Sequence, residues 1–118
     1  GWTPIWTQEP DLVGPGPWFQ WHYDRWQVPP AAREIARNAV ASQAFVLRRN
    51  LAVQFHPELT AAGLHGWLVN GGRAGAEADG QDPDILYQHT LAENEDAARR
   101  AHDLVDAFLD RVATAPAE

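Results

Sequence analysis

The sequence predicts one small α/β domain, because strand patterns fill its first half and a helical pattern closes it. Short segments rich in aromatic and β-branched residues alternate with turns up to Phe55. From Glu93 onward, apolar residues recur instead at helical spacing. With 118 residues and a hydrophobic content of 45%, the chain is long enough to build a single core.

A hairpin is predicted at the start of the chain. Residues 1–7 and 18–23 have the pattern of strands, and the Gly-Pro-Gly-Pro run at 14–17 supplies the turn between them. The next extended piece ends at two prolines, after which residues 31–38 are good helix formers. The sequence therefore predicts about two turns of helix over residues 31–38.

A second hairpin is predicted just before the most informative part of the sequence. Its strands are residues 43–47 and 51–55, and the polar connection at 48–50 ends in an asparagine that tolerates a left-handed turn. His56, a proline and Glu58 follow the second strand at once. Since proline ends a strand, the imidazole and the carboxylate are expected at a strand's carboxyl end, where ligands gather in open α/β sheets.

The rest of the chain is predicted to be mainly helical. Residues 59–70 form a possible short helix that stops at two glycines, and the Gly-, Ala- and Asp-rich stretch at about 71–82 is expected to be a flexible loop. An amphipathic helix should begin near Glu93. Its expected apolar positions are Ala97, Ala101, Leu104, Val105, Phe108 and Val112.

Charge and composition exclude several classes of function. The net charge of −7 disfavours a surface for nucleic acid or anionic membranes, both of which need clustered cations. No apolar run approaches the roughly 20 residues that cross a bilayer, and the amino terminus lacks a signal-peptide pattern. A cytoplasmic location is therefore expected. The absence of cysteine excludes disulfides and thiolate metal sites within these residues.

His56 and Glu58 carry the strongest chemical pattern. An imidazole and a carboxylate two residues apart supply the base and the orienting group of a nucleophilic triad. The third member, a nucleophile, is missing, because the 118 residues include no cysteine. Taken alone, a His-Pro-Glu sequence at a strand end is more often a turn than a catalytic pair.

Other conspicuous residues have structural explanations. No pair among the five histidines has the one-turn helical spacing of a zinc motif, so we predict no metal site, and no nucleotide-binding glycine loop is present. The six tryptophans are expected to fill a core or an interface rather than a ligand platform. Glu93, Glu95 and Asp96 are explained by the dipole at a helix start.

The motif and its surroundings together resemble a known family. Gln54-Phe55-His56-Pro57-Glu58 resembles the His-x-Glu signature of class I glutamine amidotransferase domains. Upstream, Trp21-His22-Tyr23-Asp24 resembles the family's His-x-Asp element, and Gln43-Ala44-Phe45 follows in the family's order. The most similar version is that of stand-alone proteins related to the amidotransferase domain of GMP synthase. The resemblance implies a partial flavodoxin-like fold with a mixed sheet, strand hairpins before and at the triad strand, and a carboxy-terminal amphipathic helix.

The resemblance also implies a reaction. In the family, a Cys-His-Glu triad hydrolyses glutamine to glutamate and ammonia, with His56 as the matching general base and acid and Glu58 as its hydrogen-bond acceptor. Trp21 and His22 would line the glutamine pocket, although His22 could equally form a structural hydrogen bond with Asp24. No cofactor is implied. Glutamine and γ-glutamyl compounds both remain open as substrates, and so does the ammonia acceptor.

The family's cysteine elbow and oxyanion loop have no counterpart in these residues. Residues 1–118 are therefore predicted to be the carboxy-terminal half of the domain and inactive alone. The alternative is a non-catalytic half-domain that acts as an interaction or dimerisation module. Either interpretation exposes a sheet edge, so a homodimer or pairing with the missing amino-terminal half is expected.

Overall fold

An antiparallel sheet of four strands organises the first half of the chain. The computed structural model describes residues 1–21 and 24–114. The strands are β1 (Trp2–Thr3), β2 (Trp6–Thr7), β3 (Trp18–Phe19), β4 (Arg33–Arg37), β5 (Ser42–Leu47) and β6 (Asn50–Val53). The larger sheet has the order β2-β4-β5-β6, and β1 pairs with β3 in a separate ladder. Every strand pair in the described part is antiparallel, so the predicted α/β class is confirmed with antiparallel rather than mixed sheets.

The first predicted hairpin is present, but its strands are shorter than predicted and contribute to two sheets. Trp2 lies opposite Phe19 in the ladder between β1 and β3. The loop between these strands is closed where the Ile5 N–H donates to the carbonyl of Pro15 at 3.0 Å. Between these two strands the chain crosses to the larger sheet, where β2 pairs with β4. The predicted strand over 18–23 ends at Phe19, and residues 22 and 23 lie outside the described part.

The helix predicted over residues 31–38 is wrong, because β4 runs there between β2 and β5. A register shift beside Ala36 places two consecutive apolar residues in the core, with Ile35 at 0% and Ala36 at 3% exposure. Arg, Glu and Ala favour a helix locally. Burial of Ile35 and Ala36 in the sheet outweighs that preference, which amounts to less than about 1 kcal/mol per residue.

The second predicted hairpin is confirmed, with one change in its turn. β5 and β6 pair from Ala44 with Val53 to Leu47 with Asn50. The left-handed residue is Arg48, at φ 58°, rather than Asn50. Asn50 already belongs to the ladder, and its Nδ2 donates to the carbonyl of Leu47 at 3.1 Å.

The second half of the chain is helical. Its helices are α1 (Ala61–Trp67), α2 (Arg73–Ala78) and α3 (Pro83–Phe108). A kink with non-helical backbone at Asn70 and Gly71 separates α1 from α2, and a wide helical turn at Leu109–Ala113 follows α3. Thr60 caps α1 by accepting a hydrogen bond from the Gly63 N–H at 3.0 Å. The helix predicted over 59–70 is thus confirmed in its central part.

The loop predicted at about 71–82 is wrong for residues 73–78, which form α2, while the flexibility of this stretch stays a prediction. Ala76 is only 1% exposed, and Arg73 lies 3.6 Å from Glu77 one turn along the helix. Arg73 also donates to both carboxylate oxygens of Asp84 at 3.2 Å, and this hydrogen-bonded carboxylate raises the pKa of Arg73. Arg, Ala and Glu in this segment favour a helix, and burial of Ala76 offsets the cost of Gly75 within it.

The carboxy-terminal helix is confirmed, but it begins ten residues before the predicted start at Glu93. The Asp82 side chain caps it by accepting from the Asp84 N–H at 2.9 Å, and proline occupies the first helical position. The acidic residues near Glu93 are therefore in the middle of α3, so the dipole explanation for them is wrong. Glu93 instead binds Arg100 at 2.9 Å.

Two apolar clusters pack these elements together. The larger cluster joins the four-stranded sheet to the end of α3, and it includes Ile35, Ala44, Phe55, Leu104 and Val112. The smaller cluster joins β3 to α1 and α3 through Phe19, Leu59, Leu64, Leu68 and Leu86. The predicted apolar face of α3 is partly confirmed, since Ala97, Leu104 and Val112 are buried, whereas Val105 is 55% exposed. In the described part of the chain, no helix is both long and apolar enough to cross a membrane.

Two glycines near the end of α1 should respond oppositely to alanine. A Cβ on Gly66 would meet no atom within 4 Å, so Gly66→Ala should raise the free energy of unfolding by about 0.5–1 kcal/mol. Gly71 has φ +106°, so Gly71→Ala should lower that free energy. Urea denaturation of both variants measures the difference. Shifts in the same direction would contradict the helical backbone of Gly66 or the positive φ of Gly71.

Candidate functional site

His56 lies where the chain leaves the larger sheet. The Gln54 N–H still donates to the carbonyl of Gln43 in β5 at 2.8 Å, whereas the His56 N–H donates to the carbonyl of Phe19 in β3 at 2.9 Å. The backbone at His56 is therefore fixed between the two sheets. A turn through Pro57 and Glu58 follows, so both side chains lie just beyond a strand end, as the sequence predicts.

The structure brings the imidazole and the carboxylate of the motif into direct contact. His56 Nδ1 lies 2.7 Å from Glu58 Oε1, and the two side chains are 32% and 63% exposed. A carboxylate only accepts hydrogen bonds, so His56 donates through Nδ1–H. This bond fixes which nitrogen carries the proton and orients the ring.

The other ring nitrogen of His56 also faces an acceptor. Nε2 lies 2.9 Å from the main-chain carbonyl oxygen of Trp21. Because both neighbours are acceptors, both contacts become hydrogen bonds only when each ring nitrogen carries a proton. Of the two residues predicted to line a substrate pocket, Trp21 adjoins the histidine, and His22 lies outside the described residues.

Two tryptophan side chains pack beside His56. The Trp67 ring lies 5.4 Å from the imidazole, centroid to centroid, at an angle of 74°. Trp67 also packs edge-on against Trp21, with centroids 5.8 Å apart. These two indoles line an open cleft of about 480 Å³ together with Gly66, Asn70 and Gly72. Sequence reasoning missed Trp67, whose only signal was an aromatic residue on the first helix after the motif.

Comparison with known proteins identifies the fold. No protein-family model matches the sequence, and no curated protein matches it. A glutamine amidotransferase from Methylobacillus flagellatus matches 100% of this chain and 53% of its own, with a TM-score of 0.79 and 24% identity. A glutamine amidotransferase from Thermotoga maritima matches 98% of this chain and 50% of its own, with a TM-score of 0.74 and 22% identity.

The chain has the fold of these amidotransferases over its whole length. It spans about half the length of each of the two solved structures. The predicted partial amidotransferase fold is therefore confirmed.

Within this amidotransferase fold, side-chain amides of three glutamines position the segment that carries Trp21. Gln20 Nε2 donates to Gln43 Oε1 at 2.7 Å, and Gln43 is fully buried in β5. Gln54 Nε2 donates to the carbonyl of Asp24 at 3.3 Å. The two bonds tie the chain on both sides of residues 22 and 23 to the β-hairpin that precedes His56. Among residues 1–21 and 24–114, no group of three or more His, Asp or Glu side chains could hold a metal ion.

Proposed function

We propose that this chain supplies the histidine and the glutamate of a Cys-His-Glu triad that hydrolyses glutamine to glutamate and ammonia. The supporting observation is the 2.7 Å contact between His56 Nδ1 and Glu58 Oε1, in a fold shared with two glutamine amidotransferases. His56 takes the proton from the cysteine thiol and returns it to the departing ammonia. Glu58 orients the ring and stabilises the imidazolium that forms beside the thiolate.

The nucleophile must come from residues beyond these 118, which include no cysteine. Since Glu58 occupies Nδ1, the nitrogen that serves the nucleophile is Nε2. In this chain, Nε2 contacts the Trp21 carbonyl at 2.9 Å. Docking of a cysteine-bearing half would exchange that carbonyl for the sulfur, and without it the chain is inactive. Trp21 and His22 are the residues proposed to bind glutamine.

We further propose that residues 1–118 are the carboxy-terminal half of a GMP synthase-like amidotransferase domain in the cytoplasm. The order of the sequence motifs supports this more specific assignment. Pairing with the other half is supported by apolar residues on one side of α3 and the turn that follows it, which are exposed to 46%, 55% and 51%, namely Leu91, Val105 and Leu109. A homodimer formed through the same residues is the alternative form of this pairing.

The second candidate function is a non-catalytic interaction module. The exposed α3 residues favour it as much as they favour pairing for catalysis. The two candidates differ in the use of His56, which a binding module does not need.

Complementation tests the catalytic proposal. The chain alone should release no glutamate from glutamine above background. Co-expression with the part of the Methylobacillus or Thermotoga amidotransferase that this chain does not match should supply the cysteine and give a complex that releases glutamate. A stable complex with an intact cysteine and no turnover would favour the interaction module. Turnover by the chain alone would contradict the assignment of the nucleophile to the other half.

A further inference from the structure

We infer that Trp67 is a positioning residue for His56, which keeps the imidazole in the orientation that Glu58 and the nucleophile require. The inference rests on the proposed function and adds to it a residue outside the His-Pro-Glu motif. It follows from the packing of the Trp67 ring against the imidazole at 5.4 Å and 74°.

The bond to Glu58 is a weak restraint by itself. Rotation about the bond that joins an imidazole ring to its side chain is broad and roughly two-fold, so ring orientation depends on its neighbours. Glu58 is 63% exposed, so water competes for its hydrogen bond with His56 Nδ1 and weakens it. A side chain that blocks ring rotation therefore adds a restraint that the carboxylate cannot supply alone.

Trp67 is well placed to block that rotation, because its own ring is fixed. It packs against Trp21 at 5.8 Å and against Phe19 at 6.4 Å, and the Phe19 side chain is fully buried. The helix that carries it is anchored at its start, where the Ala61 N–H donates to Asn94 Oδ1 of α3 at 2.9 Å. A fixed indole beside His56 excludes those orientations of the imidazole ring that would overlap with it.

A purely structural role accounts less well for this arrangement. Trp67 remains 36% exposed, whereas Leu64 on the same helix is fully buried and provides the helix with its core contact. Of the three rings that contact the indole, the imidazole of His56 lies nearest, at 5.4 Å, and the core residue Phe19 lies farthest, at 6.4 Å. Substitution of Trp67 should therefore disturb the imidazole more than the stability of the fold.

Nuclear magnetic resonance of the 118-residue chain tests the inference without any turnover. The ¹⁵N shifts of the His56 ring, read through its carbon-bound protons at pH 8, should show a protonated, hydrogen-bonded Nδ1 in the unsubstituted chain and in Trp67→Phe. In Trp67→Ala, the Nδ1 shift should move towards the average of the two tautomers. Trp6→Ala is the matched control, because Trp6 is 66% exposed on β2. An unchanged Nδ1 shift in Trp67→Ala would overturn the inference. If Trp67→Ala does not fold, Trp67→Leu takes its place in the same measurement.

Kinetics of the complemented domain provide a second readout. Trp67→Ala should lower kcat by about tenfold or more with little change in KM, because misorientation of a catalytic group affects the chemical step. Trp67→Phe should restore most of kcat. A rise in KM alone would instead assign Trp67 to substrate binding and overturn the positioning role. If no variant turns over glutamine, the proposed function fails, and the ring shifts of His56 still decide the role of Trp67.

Discussion

His56→Ala is expected to lower glutaminase turnover of the complemented domain by about a thousandfold or more, because loss of the general base disables a nucleophilic triad almost completely. The thiol then has no partner to take its proton, and the departing ammonia has no acid to protonate it. The measurement is glutamate release at saturating glutamine. His102→Ala is the matched control, since His102 is an exposed histidine on α3.

Substitution of the orienting carboxylate should have a smaller effect. Glu58→Gln keeps an oxygen that can accept from His56 Nδ1–H, but it removes the charge that stabilises the imidazolium. We therefore expect turnover between that of the unsubstituted domain and that of His56→Ala. Glutamate release by His56→Ala at the rate of His102→Ala would contradict the catalytic role of His56, whatever the result for Glu58→Gln.

The contact between His56 and Glu58 could be predicted from the sequence because it is local. The two residues are separated by one proline, whose fixed φ turns the chain and brings the side chains together. The hairpin of β5 and β6 is local in the same sense. By contrast, the contact of His56 with the Trp21 carbonyl joins residues from distant parts of the sequence. No periodicity or spacing encodes such a contact, so its discovery requires the fold.

The errors in secondary structure have two different causes. In β4, burial of Ile35 and Ala36 between neighbouring strands overrides a local preference for helix, and that burial depends on residues far along the chain. The start of α3 is a different case. Asp82 followed by Pro83 is a local helix-start signal, and the acidic residues near Glu93 resemble a second start although they lie within the helix. The second error could have been avoided from the sequence, whereas the first could not.

The largest loss of stability is expected for Phe19→Ala. Phe19 is fully buried, and its ring lies 5.4 Å from that of Trp2, 6.2 Å from that of Trp21 and 6.4 Å from that of Trp67. Truncation should lower the free energy of unfolding by about 3–5 kcal/mol, since it removes an aromatic ring and leaves a cavity. Urea denaturation measures the change, and exposed Trp6 provides the control, with Trp6→Ala expected to change that free energy by about 0.5 kcal/mol.

Phe19→Leu separates the stability of the fold from the geometry of the site. Leucine refills most of the space, so the free energy of unfolding should fall by less than about 1.5 kcal/mol. The backbone carbonyl of Phe19 still accepts from the His56 N–H, whereas the tilted aromatic contact between Phe19 and Trp67 is lost. Turnover should therefore fall by a larger factor than this small loss of stability explains. Equal losses of stability in Phe19→Leu and Phe19→Ala would show that the volume of the side chain at this position does not matter. The packing of Phe19 could then not hold Trp67 in place beside His56.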